Sequence, residues 1–95
     1  MSAFVIAIRE KTHDAAELAA YGAAARDARG DHKLQVRVAY GQQRVLEGAP
    51  VEGVVILEFP SMDEAQAWYD SPAYAKAREH RLRGADYRLI IVDGV

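Results

Sequence analysis

Three of the stretches that read as β-strands are apolar on both faces, and this feature constrains the fold more than any other. Residues 3–9 set Phe4, Ile6 and Ile8 on one side and Ala3, Val5 and Ala7 on the other. Residues 53–59 are apolar apart from Glu58, and the run from Tyr87 to Val92 is apolar on both sides through Leu89, Ile90, Ile91 and Val92. Such strands belong inside a sheet that is covered twice. A chain of 95 residues makes one domain, residues 1–95, and hides only about 60–65% of the surface its unfolded form exposes. Its helices can cover one face of the sheet. Each apolar side chain left wet on the other forfeits roughly 1.5–3 kcal/mol, so the pattern predicts a homodimer that pairs through that sheet face under two-fold symmetry.

Between these strands the local signals are consistent. Asp14 and Glu17 have the spacing of a capping box that opens a helix over about residues 14–28, ended by Gly30. Within it, Leu18, Tyr21, Ala25 and Ala28 recur at helical spacing. From Lys33 to about Leu46 the alternation of Leu34, Val36 and Val38 with Lys33, Gln35 and Arg37 predicts a half-wet strand, with a bulge or bend near Gly41. The run Glu47 to Pro50 reads as a turn. Ser61 with Glu64 opens a second helix, Asp70-Ser71-Pro72 breaks it, and a third runs from Pro72 to about Arg83. The order β-α-β-β-α-β predicts an α+β, ferredoxin-like fold: a four-stranded antiparallel sheet with helices on one face.

Composition narrows the function. Hydrophobic residues make up 51% and charged residues 27%, the balance of a folded domain. A net charge of −2 supplies no global field for nucleic acid or anionic lipid. There is no cysteine, hence no disulfide, thiolate metal site or cysteine nucleophile. The apolar run near the N-terminus is short and lacks a basic segment before it, so a cytoplasmic protein without a membrane span is expected. His13, His32 and His80 form no ligand motif, and glycine patterns for nucleotides are missing, so no metal and no cofactor is predicted.

The residues that could carry chemistry each admit two readings. Glu58, in an apolar strand, is either a general base or substrate anchor or a carboxylate held by structural bonds. Trp68, Tyr69 and Tyr74 flank the helix break as pocket walls or as packing. Ser71 either caps the third helix or helps that helix start present amides to an anion. Arg78 and Arg81 share a helix face with Tyr74 and either clamp a carboxylate or form a solvated or ion-paired face.

The segment from Glu58 to Tyr74, with its Glu-Phe-Pro-Ser and Trp-Tyr-Asp-Ser-Pro-Ala-Tyr runs, is followed by Arg78 and Arg81 and closed by Val-Asp-Gly-Val. Together with the early strand, Tyr21 and the Leu46 to Gly48 turn, it resembles the family called domain of unknown function 1330. The resemblance covers nearly the whole chain and implies a place in the dimeric α+β barrel superfamily. That superfamily includes cofactor-free monooxygenases, haem-degrading enzymes, muconolactone isomerases and stress-responsive proteins. Fold alone does not choose among them. The resulting expectation is a site in each half of a dimeric barrel that binds a small hydrophobic, acidic metabolite or turns it over without a cofactor. In it Glu58 is base or anchor, Tyr69 or Tyr74 a hydrogen-bond donor, and Arg81 an anion clamp. The alternative is a non-enzymatic binding or assembly module with no catalytic site.

Overall fold

Seven elements follow one another: β1 (Ala3–Thr12), α1 (Ala15–Asp27), β2 (Gln35–Ala39), β3 (Gly53–Phe59), α2 (Met62–Asp70), α3 (Pro72–Gly84) and β4 (Ala85–Asp93). They come from a computed structural model that describes residues 2–95; Met1 lies outside the described residues. The strands form one antiparallel sheet in the order β2-β3-β1-β4. The two central strands therefore belong to different βα units, which is the split-βαβ arrangement predicted from the sequence.

Alternation along the strands decides what each face does. Ala3, Val5 and Ala7 point to the helices and are buried, whereas Phe4, Ile6 and Ile8 between them are only partly covered. Register extends this across the sheet. Val36, Leu57, Val5 and Ile91 form one row on the helix side, while Val38, Ile56, Ile6 and Ile90 form a row on the open side. The helix side meets Ala28, Ala65, Trp68, Tyr74 and Ala77 in one core. On the open side no helix packs, and Ile90 and Val92 keep 53% and 43% of their surface exposed.

The helix caps follow the predicted chemistry with one change. Asp14 accepts from the amides of Ala16 and Glu17 at 3.0 and 3.3 Å. Glu17, however, does not turn back to complete a capping box. Its carboxylate meets His80 Nδ1 at 2.7 Å and Arg83 Nε at 3.3 Å, while the Asp14 amide donates to the Gly84 carbonyl. The helix start is thus tied to α3. That contact needs glycine at position 84, where a Cβ would lie 2.9 Å from Leu18 Cδ2 and 3.2 Å from its amide nitrogen. At the predicted break, Ser71 Oγ donates to the Trp68 carbonyl at 2.8 Å and accepts from the Tyr74 amide at 3.3 Å.

The second strand departs from expectation. It covers five residues, not the run to Leu46, and its register shifts between Val36 and Val38. The irregularity precedes Gly41, and the positive φ of 56° falls on Tyr40. Tertiary contacts override local preference here: the Tyr40 amide donates to the Val54 carbonyl at 2.9 Å and its ring lies against Gly53, where a Cβ would be 2.4 Å from Tyr40 Cδ1. The shift sends Val36 to the helix side and Val38 to the open side.

Candidate small-molecule site

A cavity of about 210 Å³ opens between the helix side of the sheet and α1. Its floor is sheet: Val5, Ala7, Val36, Val55, Leu57 and Leu89. Ala25 and Tyr21 come from α1, Trp68 from the end of α2 and Tyr74 from the start of α3. Small side chains on α1 create the space. The Ser71 hinge turns the chain so that Trp68 and Tyr74 stack, with ring centroids 4.1 Å apart, as one wall.

The polar groups of the cavity are mainly tyrosine hydroxyls. Tyr21 and Tyr74 meet hydroxyl to hydroxyl at 2.9 Å, and Tyr40 and Tyr87 do so at 2.5 Å. Burial raises the Tyr21 hydroxyl far above its ordinary titration range, reinforced by Tyr74; burial and then the bond to Tyr87 raise Tyr40. Both are therefore neutral donors at physiological pH. Arg26 and Arg29 also line the space, and Arg29 donates to the Leu34 carbonyl at 2.6 Å. Arg9 stacks over Tyr40 at 4.8 Å and pairs with Glu52 at 3.1 Å.

Arg81 stands behind this wall. It is 5% exposed, its guanidinium carbon lies 5.3 Å from the Tyr87 ring centroid, and its charge reaches Tyr21. Its Nε–H has no hydrogen-bond partner, and no ion pair among the described residues includes it. An unpaired buried donor costs about 1–3 kcal/mol, and more when charged. The cation–π contact offsets part of that.

The residues singled out in the sequence separate into three places. Trp68 and Tyr74 line the cavity, with Arg81 close by. Tyr69, Arg78 and Ser71 frame it from outside: the Arg78 guanidinium covers the Tyr69 ring at 4.5 Å, and Ser71 is engaged as a hinge and cap. Glu58 projects from the open side of the sheet, across β3 from Leu57 and the cavity. One carboxylate oxygen accepts a short bond from Ser2 Oγ and the other accepts from Arg37 Nε at 2.6 Å. The Ser2 bond first, and Arg37 second, hold Glu58 below the usual carboxylate range despite partial desolvation. No backbone amide of α2 is among those partners.

Five contributors were missed in the sequence reading as site residues: Tyr21, Tyr40, Tyr87, Arg26 and Arg29. The available signal was the tyrosine count. Of five tyrosines in the chain, four line this one cavity, at positions that local periodicity assigns to unrelated elements. Among the described residues no cluster of three acidic or histidine side chains could hold a metal ion.

Comparison with known proteins supports the architecture. A protein of unknown function from Rhodopseudomonas palustris superposes with a TM-score of 0.78 at 23% identity, covering 99% of this chain and 82% of that one. A dimeric ferredoxin-like protein of unknown function from Thermobifida fusca gives 0.70 at 16% identity, with 99% and 92% covered. SnoaB, a cofactor-independent oxygenase from Streptomyces nogalater, gives 0.62 at 11% identity, again with 99% and 92% covered. At these identities the likeness is one of fold. No curated protein matches the chain. The family model for the domain of unknown function DUF1330 matches residues 2–95, and the chain belongs to that family.

Proposed function

We propose that this protein is a cytoplasmic homodimer that binds a small, largely hydrophobic molecule in the cavity between sheet and helices of each copy. The observation that carries the reading is the cavity itself: apolar walls interrupted by two tyrosine hydroxyl pairs, the makeup of a small-molecule site. Binding without proton abstraction fits the lining best. Among the described lining residues there is no carboxylate or imidazole, and Tyr21 and Tyr40 are held protonated. In this reading Trp68 and Tyr74 are walls, Tyr21 and the Tyr40 and Tyr87 pair supply hydroxyl donors, Arg81 supplies positive charge, and Ser71, Tyr69 and Arg78 keep the hinge in place. Glu58 serves the open face as a structural carboxylate.

Homodimerisation through the open face supports the same picture. Phe4, Ile6, Val54, Ile56, Ile90 and Val92 make a continuous apolar surface, and related structures are dimeric. The test of the cavity is Ala25→Phe, which places a ring in the empty space. Native mass spectrometry of gently purified protein should show a constant small-molecule adduct on the wild type that the variant lacks. An adduct retained equally by both would move the ligand out of this cavity.

A further inference from the structure

The unmet hydrogen-bond donors and the charge around the cavity define what its ligand carries. In each tyrosine pair one hydroxyl donates to the other, so the accepting hydroxyl keeps a hydrogen of its own with no acceptor among the described residues. Tyr74 has no exposed surface, so in the first pair the hydrogen a ligand can meet is that of Tyr21, while the Tyr40 and Tyr87 pair offers a second donor at the solvent-exposed side. Arg26 and Arg29 line the same space, and no described lining residue is acidic, although the whole chain has a net charge of −2. Behind Tyr87 lies a third guanidinium, that of Arg81, 5% exposed and without a counter-charge. Arg26 and Arg29 are exposed and screened by solvent, so the preference for negative charge rests on the buried, unpaired Arg81 guanidinium and on the idle hydroxyl donors beside an apolar space.

Volume sets the size. An apolar cavity of roughly 150 Å³ accommodates benzene, so one of about 210 Å³ has room for a single ring with a short substituent. We propose that the cavity of this protein recognises a single-ring monocarboxylate. Its apolar ring lies against Leu57, Leu89 and Trp68, and its carboxylate accepts from the free tyrosine hydroxyls in the field of Arg81. This rests on the cavity being the ligand site. Arg81 is a positioning and field residue here, since Tyr87 stands between it and the cavity.

The chain has one tryptophan, and it is a cavity wall, so its emission reports occupancy directly. Benzoate and its neutral counterpart benzyl alcohol are titrated against Trp68 fluorescence. Benzoate should half-saturate at a concentration at least about tenfold lower than benzyl alcohol. That advantage should fall below about threefold in Arg81→Met that keeps its wild-type circular dichroism. If Arg81→Met does not fold, Tyr21→Phe, which deletes the hydroxyl of the first pair that can reach the cavity, carries the same requirement. Equal binding of the two probes by the wild type overturns the anion inference and leaves the cavity site standing. Full benzoate preference in the folded variant overturns it as well. No response to either probe removes the cavity site and this inference together.

Discussion

At the level of side chains, the tyrosine hydroxyl pairs and the glutamate ion pairs respond to pH in opposite senses. Tyr21 and Tyr40 lose the option of ionising because burial penalises the phenolate and a second phenol stands beside each. With the folded-state pKa raised, the favourable contribution of each is complete below the ordinary tyrosine value of ~10 and is lost as pH rises above it. An ultraviolet titration of the native protein should therefore show these two tyrosines silent at pH values where exposed tyrosine ionises, and released only with unfolding. Glutamates behave in the opposite sense. Glu17 is held down first by His80, Glu52 first by Thr12, and Glu58 first by Ser2. Their contribution is present above the ordinary glutamate value of ~4.3 and disappears as pH falls through the lowered range, so the thermal midpoint should drop there. Glu58→Gln should flatten part of that acid dependence and lower the midpoint at neutral pH without changing the Trp68 response to a cavity ligand. A changed Trp68 response would link Glu58 to the site across the sheet.

Elements show why some of this was legible in the sequence and some was not. The strands β1, β3 and β4 and the helix break at Ser71 and Pro72 announce themselves through alternation and capping residues, which are local properties. The length of β2 is not local. Its end is set by Tyr40, whose backbone is pinned to Val54, whose ring lies on Gly53 and whose hydroxyl meets Tyr87 47 residues further along. The Tyr21 and Tyr74 pair likewise spans 53 residues, and no periodicity encodes it. Conversely, Glu58 stood out in sequence because it interrupts an apolar strand, yet the interruption lies on the face away from the cavity. Periodicity identified the odd residue but not which side of the sheet holds the cavity. Gly53→Ala tests this reading of β2. Its Cβ meets the Tyr40 ring, so the substitution should cost about 1–3 kcal/mol in urea unfolding and break the Tyr40 to Tyr87 bond. A neutral effect would mean that Tyr40 is free to leave Gly53. Ser71→Ala should cost ~1 kcal/mol by removing the cap of α3.

At the scale of the molecule, the two faces of the sheet differ. The helix side holds the cavity, and the open side carries the row Val38, Ile56, Ile6 and Ile90 at its centre. Burying that surface against a second copy supplies roughly 25 cal/mol for each Å² removed from water, which is a large gain for so short a chain. Ile56→Lys puts a charge at the middle of the face and should convert a dimer to a monomer in light scattering, while Trp68 stays in its apolar wall. A dimer that survives Ile56→Lys unchanged would place the interface elsewhere. The claim on which the functional account depends is that ligands enter between sheet and helices and not at the Glu58 groove. Amide chemical-shift mapping of the isotope-labelled protein during a benzoate titration tests it most directly. The largest shifts should fall at Tyr21, Ala25, Leu57, Trp68 and Leu89, including the Trp68 indole N–H. Shifts gathered instead at Ser2, Gln35, Arg37 and Glu58, with the cavity residues still, would contradict it.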